Sequence, residues 1–353
     1  MLLSQRTLLA SVGALTLLST AANAIPTSTV FAAAPTGASG PDSITTGAGS
    51  IWVSYAGGTT ADGSQPAGFS TVVRYDQAGN VQNSFSIAGS VDGLKYNPNN
   101  GTIWALQNQD ANSNLTIIDP KTNTTTSVPY AVVSKSQGYD DVVFRGKDTF
   151  LSYTNPAAPG DVTVQKIVPG TSPIAVTPIL TAGAPGTNLV TGLPGFVPGT
   201  ADPDSLKLAP NGDLVQTSGN RDTLVFIQNP GTAGQTVGYL PLSGPGGVAV
   251  GKLDDSLFVT ATSGDLYLTE TSGNKVDEIE LSGLAPGTLI ASLGTPGELG
   301  IIDPATGIVT PLITGLSGPH GLAFIGDVPE PASLAVLGLG LGGVAAARRR
   351  RAA

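Results

Sequence analysis

The chain has 353 residues, a formal net charge of −9, no cysteine and one histidine, His320. That inventory excludes disulfides, a thiolate metal site, a cysteine nucleophile and a multi-histidine zinc centre, and the acidic balance does not suit nucleic acid. With 47 Gly, 27 Pro and 12% charged residues, the composition favours many short strands joined by tight turns, and 40% hydrophobic residues are enough for a core.

Met1–Ala24 places Arg6 before the apolar run Leu8–Leu18 and the Ala22-Asn23-Ala24 triplet. A charged start, an apolar centre and an A-x-A site are the layout of a secretory signal peptide. Residues 25–40 are predicted to be a linker or a closing strand, with Ser28–Ala34 as the strand candidate. From Pro41 onward a propeller is predicted. Ile51–Tyr55, Thr71–Asp76 and Val81–Ile87 are β-branched and aromatic runs separated by turn residues. Val91–Tyr130 is the clearest unit, with an apolar run, an Asn-Pro-Asn-Asn-Gly turn, GTIWAL, LTIID, a second turn and TTTSVPY. Four short strands in about 40 residues is the length of one propeller blade.

Asp140–Phe144, Thr149–Tyr153 and Val162–Val168 make a looser third unit, and Pro169–Pro203 is read as a long surface excursion. Pro203–Leu208 followed by Ala209-Pro210-Asn211-Gly212-Asp213 opens a fourth unit. After Leu242 the register is ambiguous. Gly247–Val250 and Leu257–Thr260 could begin a blade, or Gly264-Asp265-Leu266 could align with Gly212-Asp213-Leu214. Glu298–Pro311 repeats Asn114–Val128 most strongly, and Pro319–Phe324 resembles an innermost strand supplied by the C-terminal end. The expected fold is therefore all-β, a β-propeller of about six blades over residues 41–327, with seven blades or a sandwich as the alternatives.

The C-terminal end carries Val328-Pro329-Glu330-Pro331, then ASLAVLGLGLGGVAAA, then Arg348-Arg349-Arg350-Arg351. This resembles the PEP-CTERM sorting signal, whose Pro-Glu-Pro box, short apolar helix and basic tail are processed by an exosortase in Gram-negative bacteria that make exopolysaccharide. The resemblance implies that Pro329, Glu330 and Pro331 are recognised by the sorting enzyme. It implies export across the inner membrane, transient anchoring and final residence at the cell surface or outside. Independently, Ala332–Ala347 is shorter than the ~20 residues of a comfortable membrane span, and the arginines would hold the cytoplasmic side.

The unit starts share a pattern. Pro41-Asp42-Ser43-Ile44, Val91-Asp92-Gly93-Leu94, Asp140-Asp141-Val142, Pro203-Asp204-Ser205-Leu206, Pro245-Gly246-Gly247-Val248 and Pro319-His320-Gly321-Leu322 align. If each begins an innermost strand, Asp42, Asp92, Asp141, Asp204 and His320 surround one mouth of a central channel. Converging carboxylates could hold Ca²⁺ through oxygen ligands, with Asn108, Asn155 and Asn220 adding neutral oxygens. The competing reading is that the aspartates cap turns. The x-x-G-L starts are similar to those of six-bladed lactonase-like and NHL-type propellers, although the acidic metal ligands of the hydrolases do not stand at their usual positions. Trp52 and Trp104 occupy matching second-strand positions and read as core.

Two functions follow as expectations. One is an exported binding or scaffold module without catalysis, partnered by the export machinery, the exosortase and extracellular polysaccharide or envelope proteins. The other is a Ca²⁺-dependent lactonase- or esterase-like hydrolase using the channel-mouth carboxylates.

Overall fold

The computed structural model describes residues 26–63, 68–131, 137–197, 203–219 and 222–327. The signal peptide and the sorting tail both lie outside the described residues. Among the described residues no helix is long and apolar enough to cross a membrane.

The chain opens with β1 (Ser28–Ala33). Blade 1 is β2 (Pro41–Gly47), β3 (Ser50–Tyr55), β4 (Phe69–Tyr75) and β5 (Val81–Ala88), innermost strand first. Blade 2 is β6 (Val91–Asn97), β7 (Thr102–Gln107), β8 (Asn114–Asp119) and β9 (Thr124–Pro129). Blade 3 is β10 (Tyr139–Arg145), β11 (Asp148–Tyr153), β12 (Val162–Val168) and β13 (Ala175–Thr181). Next come β14 (Pro185–Asn188) and β15 (Pro194–Phe196), then β16 (Leu206–Leu208), β17 (Leu214–Ser218), β18 (Thr223–Gln228) and β19 (Thr236–Pro241). The last four form blade 4, and the β14–β15 hairpin extends its outer edge through a parallel pairing of β14 with β19.

The remaining strands interlace. They are β20 (Lys252–Phe258), β21 (Ser263–Glu270), β22 (Lys275–Ser282), β23 (Leu289–Thr295), β24 (Glu298–Ile302), β25 (Val309–Thr314) and β26 (Pro319–Gly326). Blade 5 runs β20-β23-β24-β25, and blade 6 runs β26-β21-β22-β1. The chain lays the inner strand of blade 5, leaves to build the middle of blade 6, returns to finish blade 5, and ends as the inner strand of blade 6. The N-terminal β1 closes blade 6 from outside, with Ser28 paired to Ile279. The inner strands contact one another in the cycle β2, β6, β10, β16, β20, β26 and back to β2. The ring therefore has six blades and closes.

Two expectations are corrected. Pro169–Pro203 is not a plain excursion, because it supplies β13 and the β14–β15 hairpin. Its prolines hid these strands; they lie in outer strands, where a missing backbone N–H is tolerated. Gly247–Val250 is not a strand, and the inner strand of blade 5 is Lys252–Phe258. Gly246, Gly247 and Gly251 take φ of 80°, 80° and 86°, a turn conformation that glycine alone adopts freely.

The core is six apolar clusters, each between neighbouring blades. Trp52 of β3 packs with Val91 and Ile103 of blade 2, while Tyr55 and Tyr75 of blade 1 pack with Tyr267 and Val276 of blade 6. β3 is buried along its whole length, as a strand covered on both faces must be. Each large side chain fully withdrawn from water contributes about 1.5–3 kcal/mol relative to exposure. Trp52 and Trp104 are both buried.

Candidate functional site at the channel mouth

Five of the inner strands share one device at their start. A register shift falls between Pro41 and Ile44, Val91 and Gly93, Tyr139 and Val142, Leu253 and Ser256, and opposite Pro319–Leu322. Such bulges re-aim side chains. A hydroxyl on the second strand binds the released backbone. Ser54, Thr217, Thr269 and Ser292 accept from the N–H groups of Ser43, Ser205, Gly321 and Asp255 at 3.0, 2.8, 2.8 and 3.0 Å. These hydroxyls also reach the next blade. Ser152 donates to the Pro203 carbonyl at 2.7 Å, Thr269 to that of Asp42 at 2.5 Å, and Ser292 to that of His320 at 2.5 Å. The Ser or Thr near the end of the second strands was the sequence signal for this stitching.

The register places Asp42, Asp92, Asp140, Asp204, Asp254 and His320 in one ring. Asp140, one residue before the expected Asp141, holds the position equivalent to Asp42, and Asp254 fills the position assigned to the Gly246-Gly247 segment. That signal was present, because Leu253-Asp254-Asp255-Ser256-Leu257-Phe258 matches Tyr139-Asp140-Asp141-Val142-Val143-Phe144. Lys95, Lys207 and Gln109 also belong to the site and were not anticipated.

His320 stands between two carboxylates, with Nδ1 2.9 Å from Asp42 Oδ1 and Nε2 2.9 Å from Asp254 Oδ2. Burial alone would lower its pKa, but Asp254 and Asp42 outweigh it and hold the imidazolium well above the ordinary range. Asp254 is buried, which favours its neutral form, yet the His320 charge brings it down to about 2. Both shifts describe the same contact. Asp204 hydrogen-bonds Asp254. Asp92 is raised well above the usual carboxylate range by burial and by the Asp42 charge beside it, and it hydrogen-bonds Asp42. The Gln109 side-chain amide lies between Asp92 and Asp140, whose oxygens require its nitrogen on that side, and so oriented it bridges them. One hydrogen-bonded chain thus runs from Asp204 through Asp254, His320, Asp42 and Asp92 to Asp140.

Asp141 and Asp255 lie one residue further along their strands. Asp141 accepts from the N–H groups of Val142 and Leu206 at 2.7 and 3.0 Å, and Asp255 from those of Ser256 and Leu322 at 2.7 and 2.8 Å. Each caps its own bulge and ties it to an inner strand of another blade. Lys207 Nζ bridges the pair at 2.9 and 2.7 Å, and Lys95 Nζ stands 3.8 Å from Asp141. Burial opposes the Lys207 charge, but its two carboxylates hold it above the usual lysine range.

The space left inside is about 30 Å³, room for a water or two. A hard cation needs several unshared carboxylate or carbonyl oxygens around one point. Here His320 engages Asp42 and Asp254, Lys207 engages Asp141 and Asp255, Asp204 is hydrogen-bonded to Asp254, and Asp92 to Asp42. Among the described residues no group of three or more His, Asp or Glu has the arrangement of a metal site. The donor set therefore does not fit Ca²⁺. Asn108 and Asn155 are turn residues with φ of 57° and 51°, and Asn108 accepts from the Ser90 N–H at 3.0 Å. Asn220 lies outside the described residues.

Comparison with known proteins adds the following. The PEP-CTERM protein-sorting motif matches residues 327–351, so the chain is marked for export, exosortase processing and transient anchoring at its C-terminus. No curated protein matches the sequence. Among solved structures, a streptogramin B lyase is similar at 18% identity and TM-score 0.47, over 84% of this chain and 91% of that one. Virginiamycin B lyase from Staphylococcus aureus is similar at 12% identity and TM-score 0.47, over 84% and 78%. The periplasmic gluconolactonase of Pseudomonas aeruginosa is similar at 15% identity and TM-score 0.45, over 82% and 89%.

Proposed function

We propose that this propeller is a non-catalytic binding or scaffold module of the cell envelope or extracellular matrix, delivered by its sorting tail to the surface of a Gram-negative cell and associated there with exopolysaccharide. The observation that carries this reading is that four of the channel-mouth carboxylates are already paired inside the protein, Asp42 and Asp254 with His320 and Asp141 and Asp255 with Lys207. These four carboxylates, which a hydrolase would direct at a metal or a water, are engaged by His320, Lys207 and backbone N–H groups. A general base or nucleophile must instead be free to meet a substrate. The sorting motif supports a location where a rigid, weakly charged ring serves as a surface element.

The test is fractionation of the producing cells with and without a functional exosortase. We expect the protein in the surface or matrix fraction, co-sedimenting with purified exopolysaccharide, and we expect its thermal melt to be unchanged by EDTA or Ca²⁺. A soluble periplasmic protein that hydrolyses lactones or esters, with loss of turnover on Asp42→Asn or Asp254→Asn, would overturn the reading.

A further inference from the structure

At the other end of the channel lies a cavity of a different kind. Every inner strand begins at the acidic ring, so its last residues reach the opposite mouth. There a cavity of about 560 Å³ opens between blades 4 and 5. Its size falls within the ~300–1,000 Å³ of small-molecule sites. Leu208, Pro210, Leu257 and Phe258 line its walls, and Lys95 and Lys207 line it from the channel. Leu208 is 39% exposed at the rim.

The two ammonium groups are not equivalent. Lys207 is held by Asp141 and Asp255 within hydrogen-bond distance. Lys95 has its nearest carboxylate, Asp141, at 3.8 Å, beyond the range of a hydrogen bond. Burial and the neighbouring Lys207 both work against its charge. A half-buried cation whose nearest carboxylate lies beyond hydrogen-bond distance, at the wall of an apolar cavity, is completed by an anion whose body is apolar.

The same mouth is where the chain leaves the fold. β26 runs from the ring to this end, the backbone of Gly326 lies against Ala261 and Thr260, and the Asp327 N–H donates to the Ser263 carbonyl at 2.9 Å. Thr260 is itself part of the cavity lining. The last described residues, Gly326 and Asp327, therefore lie beside the cavity, and the sorting motif begins at residue 327.

We propose that this cavity binds a small anionic amphiphile, a carboxylate on an alkyl or aryl body, with the carboxylate on Lys95 and the apolar part against Phe258, Leu257 and Leu208. Binding does not depend on any matrix association.

The test is calorimetric titration of the exported protein, as its cell processes it, with octanoate and with 1-octanol as the uncharged control. One octanoate per chain is expected. Lys95→Met is expected to weaken octanoate about tenfold, as loss of a charge-assisted hydrogen bond does, and to leave 1-octanol nearly unchanged. Leu208→Asp sets a like charge on the exposed rim, where folding tolerates it, and is expected to weaken octanoate likewise. If Lys95→Met does not fold, Leu208→Asp decides alone. Absence of octanoate binding to the native protein, or equal octanoate affinity in the native protein and the folded variants, overturns the proposal.

Discussion

His320 is where six inner strands meet their charge. It ties the last strand of the chain to Asp42 of blade 1 and to Asp254 of blade 5. Removing one partner of a buried ion pair leaves the others uncompensated, so His320→Ala is expected to cost about 3 kcal/mol. The effect of pH follows from the signs. The folded pKa of His320 lies above its unfolded 6.5, so its contribution is complete below about pH 6.5 and is lost as the pH climbs through the folded value. Asp254 behaves oppositely: its contribution is complete above 3.8 and is lost as the pH falls toward about 2. Asp92, raised, loses stability as the pH rises above 3.8. Stability is therefore expected to peak on the acid side of neutrality. Urea midpoints across the pH range check this. Asp92→Asn should flatten the decline just above the maximum, and an optimum at alkaline pH would contradict the assignment. At this scale much of the site was legible. Asp42, Asp92, Asp204 and His320 follow from the repeated strand start. Asp254 escaped because a Pro-Gly-Gly sequence just upstream imitated that start better than Leu-Asp-Asp-Ser did.

Among the elements, the inner strands are fixed by how closely one bulge approaches the next. A methyl group on Gly321 would meet the Asp42 carbonyl oxygen at 2.6 Å and the Ile44 nitrogen at 3.1 Å, both backbone atoms that cannot swing aside. Gly321→Ala is therefore expected to destabilise by about 2–3 kcal/mol, the upper range for a single substitution. Gly234→Ala is the control, because its nearest foreign atom would be 3.9 Å away, and a shift within about 0.5 kcal/mol is expected. Equal melting temperatures for the two variants would show that the inner strands can shift apart. Strand identity was readable here from β-branched runs such as Ile51–Tyr55 and turn signals such as Asn97–Gly101. Strand partnership in blades 5 and 6 was not. Pairing β20 with β23 across an intervening hairpin is a non-local choice, and the alternation of side chains within a strand carries no information about it. Of the two registers that compete after Leu242, the one aligning Gly264-Asp265-Leu266 with Gly212-Asp213-Leu214 is used, in blade 6, while the inner strand of blade 5 starts at Lys252.

For the whole molecule, the decisive contact is β1 on β22, which joins residues separated by 249 positions. Phe31 of β1 meets the rings of Tyr267 at 5.0 Å and Tyr75 at 5.9 Å, so one strand braces blade 6 and blade 1 together. Deleting residues 28–33 exposes the edge of β22 and uncovers that aromatic cluster. The expected result is a lower melting temperature, with hydrogen exchange quickened in β22 and β4 but not in β10–β12. Uniform acceleration in every blade would mean that the ring opens as one unit.

The interlaced ending also sets an order of events during synthesis. Blade 5 waits for β23–β25, and blade 6 waits for β26, which ends at Gly326. The sorting motif begins at residue 327. The ring thus receives its last structural strand at the moment the anchoring signal starts to emerge. A chain cut short before this point has neither a closed propeller nor a membrane tether. One that passes it completes the ring first and the sorting motif next, so only finished copies can be held for delivery.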